Sequence, residues 1–319
     1  MNILYAVIPC YNEQEVLRET AKRLREKFQS LIAAEKISPQ SRIVFVNDGS
    51  KDSTWNIIRE LHGHDKIFSG INLSRNCGHQ NALLAGLMTV KNFSDAVISM
   101  DADLQDDINA IDEMIDKFHG GFDIVYGVRS KRETDTFFKR FTAESFYKLI
   151  KFLGGDIVNN HADYRLMSRR ALDGLAQFGE VNLFLRGLVP MIGYPSTTVY
   201  YERAERFAGE SKYPLKKMLF FAFQGITSLT VEPIRMITTL GLMMSSISFL
   251  VILWTLYEYF FGYTVPGWSS MLASLWFIGG LILLSIGIVG EYVGKIYLET
   301  KRRPRFIVSE FLNDNSEVL

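Results

Sequence analysis

AVISMDADLQDD, residues 96–107, changes character at its centre. Residues 96–100 are apolar or small and read as a buried strand; the next seven include four aspartates. Alternate residues of an extended chain point to one side, so Asp101 and Asp103 aim two carboxylates at one spot. Such a pair repels unless a cation lies between. Hard oxygen ligands suit Mg2+ or Mn2+, which complete their shell with diphosphate oxygens and water, and Gln105 can add a carbonyl oxygen. An acidic pair alone is an ordinary surface feature; its place after an apolar strand gives it weight. Asp106 and Asp107 read as acidic residues at the start of the next helix.

Outward from this stretch, strand-like and helix-like segments alternate. Strands are expected at residues 3–8, 42–46, 67–73, 96–100 and 123–127. Helices are expected from Asn12 towards Glu35, where Asn12 and Glu15 form a capping-box pattern, and then to His62, over 80–90 and over 109–118. Alternation of this kind implies βαβ units and a mostly parallel sheet, with ligands at the carboxyl ends of its strands. Polar clusters stand at those ends: PCYNE, NDGS, SRNCGHQ, DADLQDD and GVR. The first, residues 9–13, offers an aromatic face, an amide and a carboxylate, a cradle for a base and ribose. Asp48 could accept a hydrogen bond from a base imide, although NDGSKDS also reads as a plain turn.

Composition narrows the class. The chain has 319 residues, 48% of them hydrophobic, and zero formal net charge, against a bulk nucleic-acid binder. Two cysteines, Cys10 and Cys77, are too few for a disulfide framework and read as free thiols. The mean hydropathy of +0.07 is high for a soluble enzyme, and the excess is concentrated. No charge interrupts residues 236–257 or 259–290. A span needs ~20 apolar residues, so two membrane helices are expected at 236–261 and 270–292, with a turn at Pro266-Gly267-Trp268. Arg235 precedes the first; Lys295, Lys301, Arg302, Arg303 and Arg305 follow the second; the loop between has no Lys or Arg. The positive-inside rule places both chain ends in the cytoplasm. The expected division is a catalytic domain over 1–210, an interfacial basic-aromatic segment over 211–235, the two spans within 236–292, and a cytoplasmic tail over 293–319. The basic-aromatic segments, 136–153 and 211–235, read as amphipathic helices facing a core or, beside true spans, as helices lying in the membrane interface.

The motifs in residues 9–13, 47–50, 76–79 and 100–105 occur in the order and spacing of family-2 glycosyltransferases with a GT-A, Rossmann-like fold. DYRLMSR (163–169), FLRG (184–187), RFAGESKY (206–213) and the paired C-terminal helices extend the likeness over nearly the whole chain. The chain resembles the polyisoprenyl-phosphate glycosyltransferases, among them the bactoprenol glucosyltransferases and dolichol-phosphate mannose synthase. The resemblance implies a nucleoside-diphosphate sugar donor, a divalent metal, a polyprenyl phosphate acceptor, and inversion at the sugar. By it, Pro9, Tyr11, Glu13, Asp48, Arg75 and Gly78 would contact the nucleotide sugar. Asp101 would reach the ribose side, and Asp103 with Gln105 would hold the metal. Arg129, Arg206 and Lys212 would handle phosphates, with Arg140 a further acceptor-side candidate. Asp163 matches the position usually assigned as base, and could instead orient Arg165 or the sugar, or form a structural ion pair. His79 lies in a matched motif; His161 has only its neighbourhood. The QxxRW motif of processive members is missing, since no Arg-Trp follows Gln224. Cys10 stands where an aliphatic residue is expected and reads as a small hydrophobe.

These expectations converge on hexose transfer, from UDP-glucose first and UDP-N-acetylglucosamine second, to polyprenyl (undecaprenyl) phosphate. The implied setting is a multi-pass protein of a bacterial inner membrane, in contact with the lipid bilayer, and a homo-oligomer such as a tetramer. An inactive nucleotide-sugar-binding scaffold is the alternative of a different class, and the intact Asp101, Asp103 and Gln105 set speaks against it.

Overall fold

The computed structural model describes residues 1–130, 161–180, 183–202 and 268–313, with isolated positions between 234 and 257. Strand β1 (Leu4–Cys10) is buried along its whole length at the centre of the sheet. Its side chains divide by the strand's period of two. Leu4, Ala6, Ile8 and Cys10 pack with Leu17, Leu24 and Phe28 of α1 (Leu17–Ala33) and with Met114 of α4 (Ala110–His119). Tyr5 and Val7 face the other layer, with Leu83 and Leu87 of α3 (His79–Val90). Gly86 lets that helix close on the sheet, for a methyl there would lie 2.4 Å from Val7 Cγ1.

The remaining elements are β2 (Arg42–Asn47), α2 (Thr54–His64), β3 (Phe68–Leu73), β4 (Ala96–Ser99), β5 (Ile124–Arg129), β6 (His161–Ser168), α5 (Arg169–Ala176), α6 (Leu185–Met191), β7 (Ser196–Tyr201), α7 (Trp268–Lys301) and β8 (Val308–Leu312). The eight strands lie in the order β7-β5-β6-β4-β1-β2-β3-β8. The sheet is mixed, which corrects the mostly parallel expectation. β6 enters between β4 and β5 and runs antiparallel to both, and β8 runs antiparallel to β3. An apolar-run criterion passes over β6 because Asp163 and Arg165 interrupt it. Both are buried, and they neutralise one another as an ion pair at 2.5 Å.

The capping box does not form. Asn12 adopts a left-handed backbone (φ 55°), and its Oδ1 accepts the Lys51 N–H at 2.9 Å. Helix α1 begins only at Leu17, whose N–H donates to Glu13 O at 3.0 Å.

Among the described residues one helix is long and apolar enough to cross a membrane, Ile278–Lys301. It belongs to α7, whose 34 residues extend about 51 Å at ~1.5 Å each and continue past the expected end at 292. Leu275, Ile282, Leu283, Leu284 and Ile286 are exposed along it. The described positions from Ile234 to Tyr257 are helical, with Met243, Ile247, Leu250 and Trp254 exposed; the rest of the first expected span lies outside the described residues. So do Arg140, Arg206 and Lys212, and all of the 211–235 segment but Ile234. The expected tail, residues 293–319, first continues α7 to Lys301 and then returns to the catalytic sheet as β8.

Candidate active site

Loops at the carboxyl ends of β1, β2 and β3 form one bonded unit. The first two are tied together by the Asn12 N–H to Ser50 Oγ (3.0 Å), the Glu13 N–H to Thr54 Oγ1 (3.0 Å) and the Ser53 N–H to Gln14 Oε1 (3.1 Å). The third is held by Asp48, whose carboxylate accepts the Cys77 N–H at 2.7 Å and the Gly78 N–H at 3.0 Å. Burial raises the Asp48 pKa, and those two amides work against the rise. Asp48 thus organises the loop that carries Arg75 and Gly78, a role its sequence setting did not disclose. Gly49 permits the approach: its φ is +62°, and a methyl there would lie 2.5 Å from Asn76 N and 2.6 Å from Arg75 C. Gly49→Ala is expected to push these loops apart and lower the melting temperature by several degrees, since strain in this backbone region costs ~1–2 kcal/mol before the clash is counted. Thermal melting of the variant beside the unaltered protein checks it. Pro9 is buried at the end of β1, while Tyr11 is 43% exposed at the mouth.

After β4 the chain turns through a second strained point, Leu104 at φ 58°. The Gln105 N–H donates to Asp103 Oδ1 at 3.2 Å, and Gln105 is buried. Asp106 turns inward and does not remain a helix-end charge. It accepts the Tyr201 hydroxyl at 2.5 Å and lies 3.8 Å from an Arg129 amino nitrogen, and its buried Oδ2 has no hydrogen-bond partner among the described residues. Arg129 Nε in turn donates to the Tyr201 hydroxyl oxygen at 3.4 Å.

β6 runs opposite to its neighbours, so its first residues meet the carboxyl ends of β4 and β5. Asp163 there accepts Arg165 at 2.5 Å and Arg186 of α6 at 3.3 Å, and His79 Nε2 lies 3.5 Å from it and 3.5 Å from Asp101. Burial opposes the Asp163 charge, yet Arg186, His79 and Arg165 hold its carboxyl well below the usual range. Asp101 is the converse: burial, with Asp106, Asp163 and Asp103 close by, raises it to about 6 against the pull of His79. The sequence named Asp101, Asp163 and His79; it missed Arg186, Asp106 and Tyr201 as members of the cluster. FLRG was visible as a motif, but nothing in it announced a partner 23 residues away.

The glycosyl transferase family 2 profile matches residues 5–175, a stretch holding every site residue above except Arg186 and Tyr201. The chain belongs to glycosyl transferase family 2. It is a glycosyltransferase with a GT-A α/β fold. The glycosyltransferase YkoT of Bacillus subtilis is 52% identical over 96% of this chain and 91% of its own. The bactoprenol glucosyl transferase of Shigella phage SfX is 43% identical over 95% and 97%. The prophage bactoprenol glucosyl transferase homolog of Escherichia coli is 40% identical over 95% and 97%.

For a family-2 enzyme the acidic turn is the place to test for a metal. Burial and the neighbouring Asp106 and Asp103 raise the Asp101 pKa, and Asp106 Oδ2 is buried without a hydrogen-bond partner among the described residues. Both observations fit a cation. Among the described residues no three His, Cys, Asp or Glu side chains converge to enclose a metal on their own. A hard divalent ion held by one or two carboxylates and completed by substrate phosphates fits that donor set.

Proposed function

We propose that this family-2 enzyme transfers glucose from UDP-glucose to polyprenyl phosphate, with inversion, at the cytoplasmic face of a bacterial inner membrane. The observation that carries the reading is 40–43% identity, over 95% of the chain, to proteins named bactoprenol glucosyl transferases. That match runs through the apolar C-terminal helix, so it covers both the donor loops and the membrane segment. Exposed leucines and isoleucines along α7 support lipid contact, since a contiguous apolar surface of that size is unfavourable in water.

The loops after β1, β2 and β3 receive the nucleoside, with Tyr11 at the mouth and Asp48 holding the third loop in place. Asp101 lies on the ribose side. Asp103 and Gln105 would hold Mg2+ or Mn2+, whose charge would offset that developing on the departing diphosphate. Arg129, steadied by Tyr201 and Asp106, faces the same charge. The acceptor is a phosphate monoester whose second pKa is near ~6, so it is largely ionised at neutral pH. It needs positioning more than a proton acceptor. Asp163, held as a carboxylate by Arg186, His79 and Arg165, serves that positioning through Arg186 and His79. Arg206, Lys212 and Arg140 are proposed for the acceptor phosphate.

The test is a donor screen on the purified protein with Mn2+ and undecaprenyl phosphate. UDP-glucose is expected to be consumed only when the lipid is present. Preference for UDP-N-acetylglucosamine would change the sugar and keep the class; consumption of no donor in the presence of the lipid would reject transfer. The two-span topology, both ends cytoplasmic, has its own check. A cysteine at Ser269 should react with an impermeant thiol reagent in intact cells, and one at Ser316 should not. The opposite labelling would reverse the orientation.

A further inference from the structure

The strand that follows the membrane helix is wired to the donor loops. β8 pairs antiparallel with β3, setting Leu312 opposite Gly70, Phe311 opposite Ile71 and Glu310 opposite Asn72, with an irregularity between Asn72 and Leu73. It is anchored on several sides. The Phe311 ring lies 6.0 Å from that of Phe93, Glu310 accepts Arg59 at 2.9 Å, and Arg305 donates to the carbonyls of Glu180 (2.8 Å) and Phe178 (3.2 Å).

Two hydrogen-bonded routes lead from this strand to the site. In the first, Ser309 Oγ donates to Asn72 O at 2.9 Å, and Asn72 Oδ1 accepts Asn47 Nδ2 at 2.7 Å. Asn47 Oδ1 accepts the Ser50 N–H at 3.2 Å, and Ser50 Oγ accepts the Asn12 N–H at 3.0 Å. Asn12 stands in the first loop, next to Tyr11. In the second, the N–H of Ser74, the residue that opens the third loop, donates to Ile307 O at 3.0 Å. That loop then supplies the two amides that grip Asp48. Without β8, β3 would be a sheet edge with its outward N–H and C=O groups unpaired, and both routes would lose their outer end.

We infer that β8 is a positioning element of the donor site: the chain leaving the membrane helix sets the nucleotide affinity of the loops after β1, β2 and β3. Ser309 and Asn72 are its positioning residues. The inference rests on the reading that those loops receive the nucleoside. Coupling between two sites is reciprocal. If docked β8 strengthens nucleotide binding, bound nucleotide must strengthen β8 docking by the same factor.

The experiment uses the full-length protein in neutral detergent, with UDP and Mn2+ as the probe. Phe311→Ala combined with Leu312→Ala should loosen β8, seen as faster amide hydrogen exchange over residues 308–312, and weaken UDP about tenfold. Ser309→Val, which removes the donor, should weaken UDP about threefold, in the range a single hydrogen bond carries, and Ser309→Thr, which has the volume of valine and keeps the hydroxyl, should restore it. At saturating donor, kcat should stay within about twofold of wild type, because the reacting groups are untouched. In the unaltered protein, UDP should slow exchange over 308–312. Faster exchange in the double variant with unchanged UDP affinity overturns the inference, as does wild-type affinity in Ser309→Val. Should the double variant fail to fold, the Ser309 pair and the UDP protection of wild-type β8 still decide it. Absence of UDP binding to the wild-type protein would instead overturn the donor-site reading itself.

Discussion

Asp103→Ala is expected to lower sugar transfer by about a thousandfold or more while leaving the domain folded. A metal acting as a Lewis acid supplies several kcal/mol at the transition state, and ~4 kcal/mol corresponds to about a thousandfold in rate. The fold should lose little. Asp103 is half-exposed at a surface turn, where it accepts the Gln105 N–H at 3.2 Å. A net hydrogen bond is worth roughly 1 kcal/mol, small beside a typical domain stability of ~5–15 kcal/mol. Thermal melting should therefore shift by only a few degrees. EDTA should reproduce the loss in the wild-type protein and Mn2+ should reverse it; excess Mn2+ should not rescue the alanine variant. Asp103→Asn retains one oxygen ligand without the charge, and its activity should fall between the two. Full activity of wild-type protein stripped of metal and held in EDTA would remove the metal from the mechanism and Asp103 from the metal.

Much of this site was legible because its residues follow strands. Five apolar runs followed by polar clusters placed the loops at one end of the sheet, and β1 to β5 appear within three residues of their expected positions. What sequence periodicity could not show was partnership over distance. β6 escaped because its buried Asp163 and Arg165 look polar in sequence and are apolar only as a pair. Asp106 resembled a helix-end charge because its true partner, Tyr201, stands 95 residues later. Asn12 matched a capping box, yet its side chain bonds across to Lys51 in the second loop, since satisfying that loop competes with capping a helix. β8 was hidden by its position after an apolar helix and a basic cluster, where VSEFL reads as tail and gains its meaning from the open edge of β3.

Removing Asp163 should be costly for stability first and for chemistry second. Arg165 is 1% exposed, and Asp163 is the carboxylate that meets its charge, at 2.5 Å. Breaking a buried pair from one side leaves an uncompensated charge and costs ~3–5 kcal/mol, a large fraction of the stability of a typical domain. At ~2–4 °C per kcal/mol for a domain of this size, Asp163→Ala should melt roughly 6–20 °C below wild type. Asp163→Ala with Arg165→Met should recover part of that, since the stranded cation is gone. Acid should reveal the same ion pair. The folded pKa of Asp163 is depressed, so its stabilisation is present above the unfolded value of ~3.9 and is lost as pH falls through the folded value. The double variant should lack that acid-dependent loss. The pH dependence of transfer separates positioning from proton abstraction. A carboxylate held well below the usual range is ionised across pH 5–8 and contributes no limb there; a limb near ~6 comes from the acceptor phosphate and from Asp101, itself raised to about 6. Asp163→Asn, which keeps the shape of the side chain, should therefore transfer sugar more slowly with the limb in the same place. A folded Asp163→Asn protein in which that limb disappears would make Asp163 the base after all.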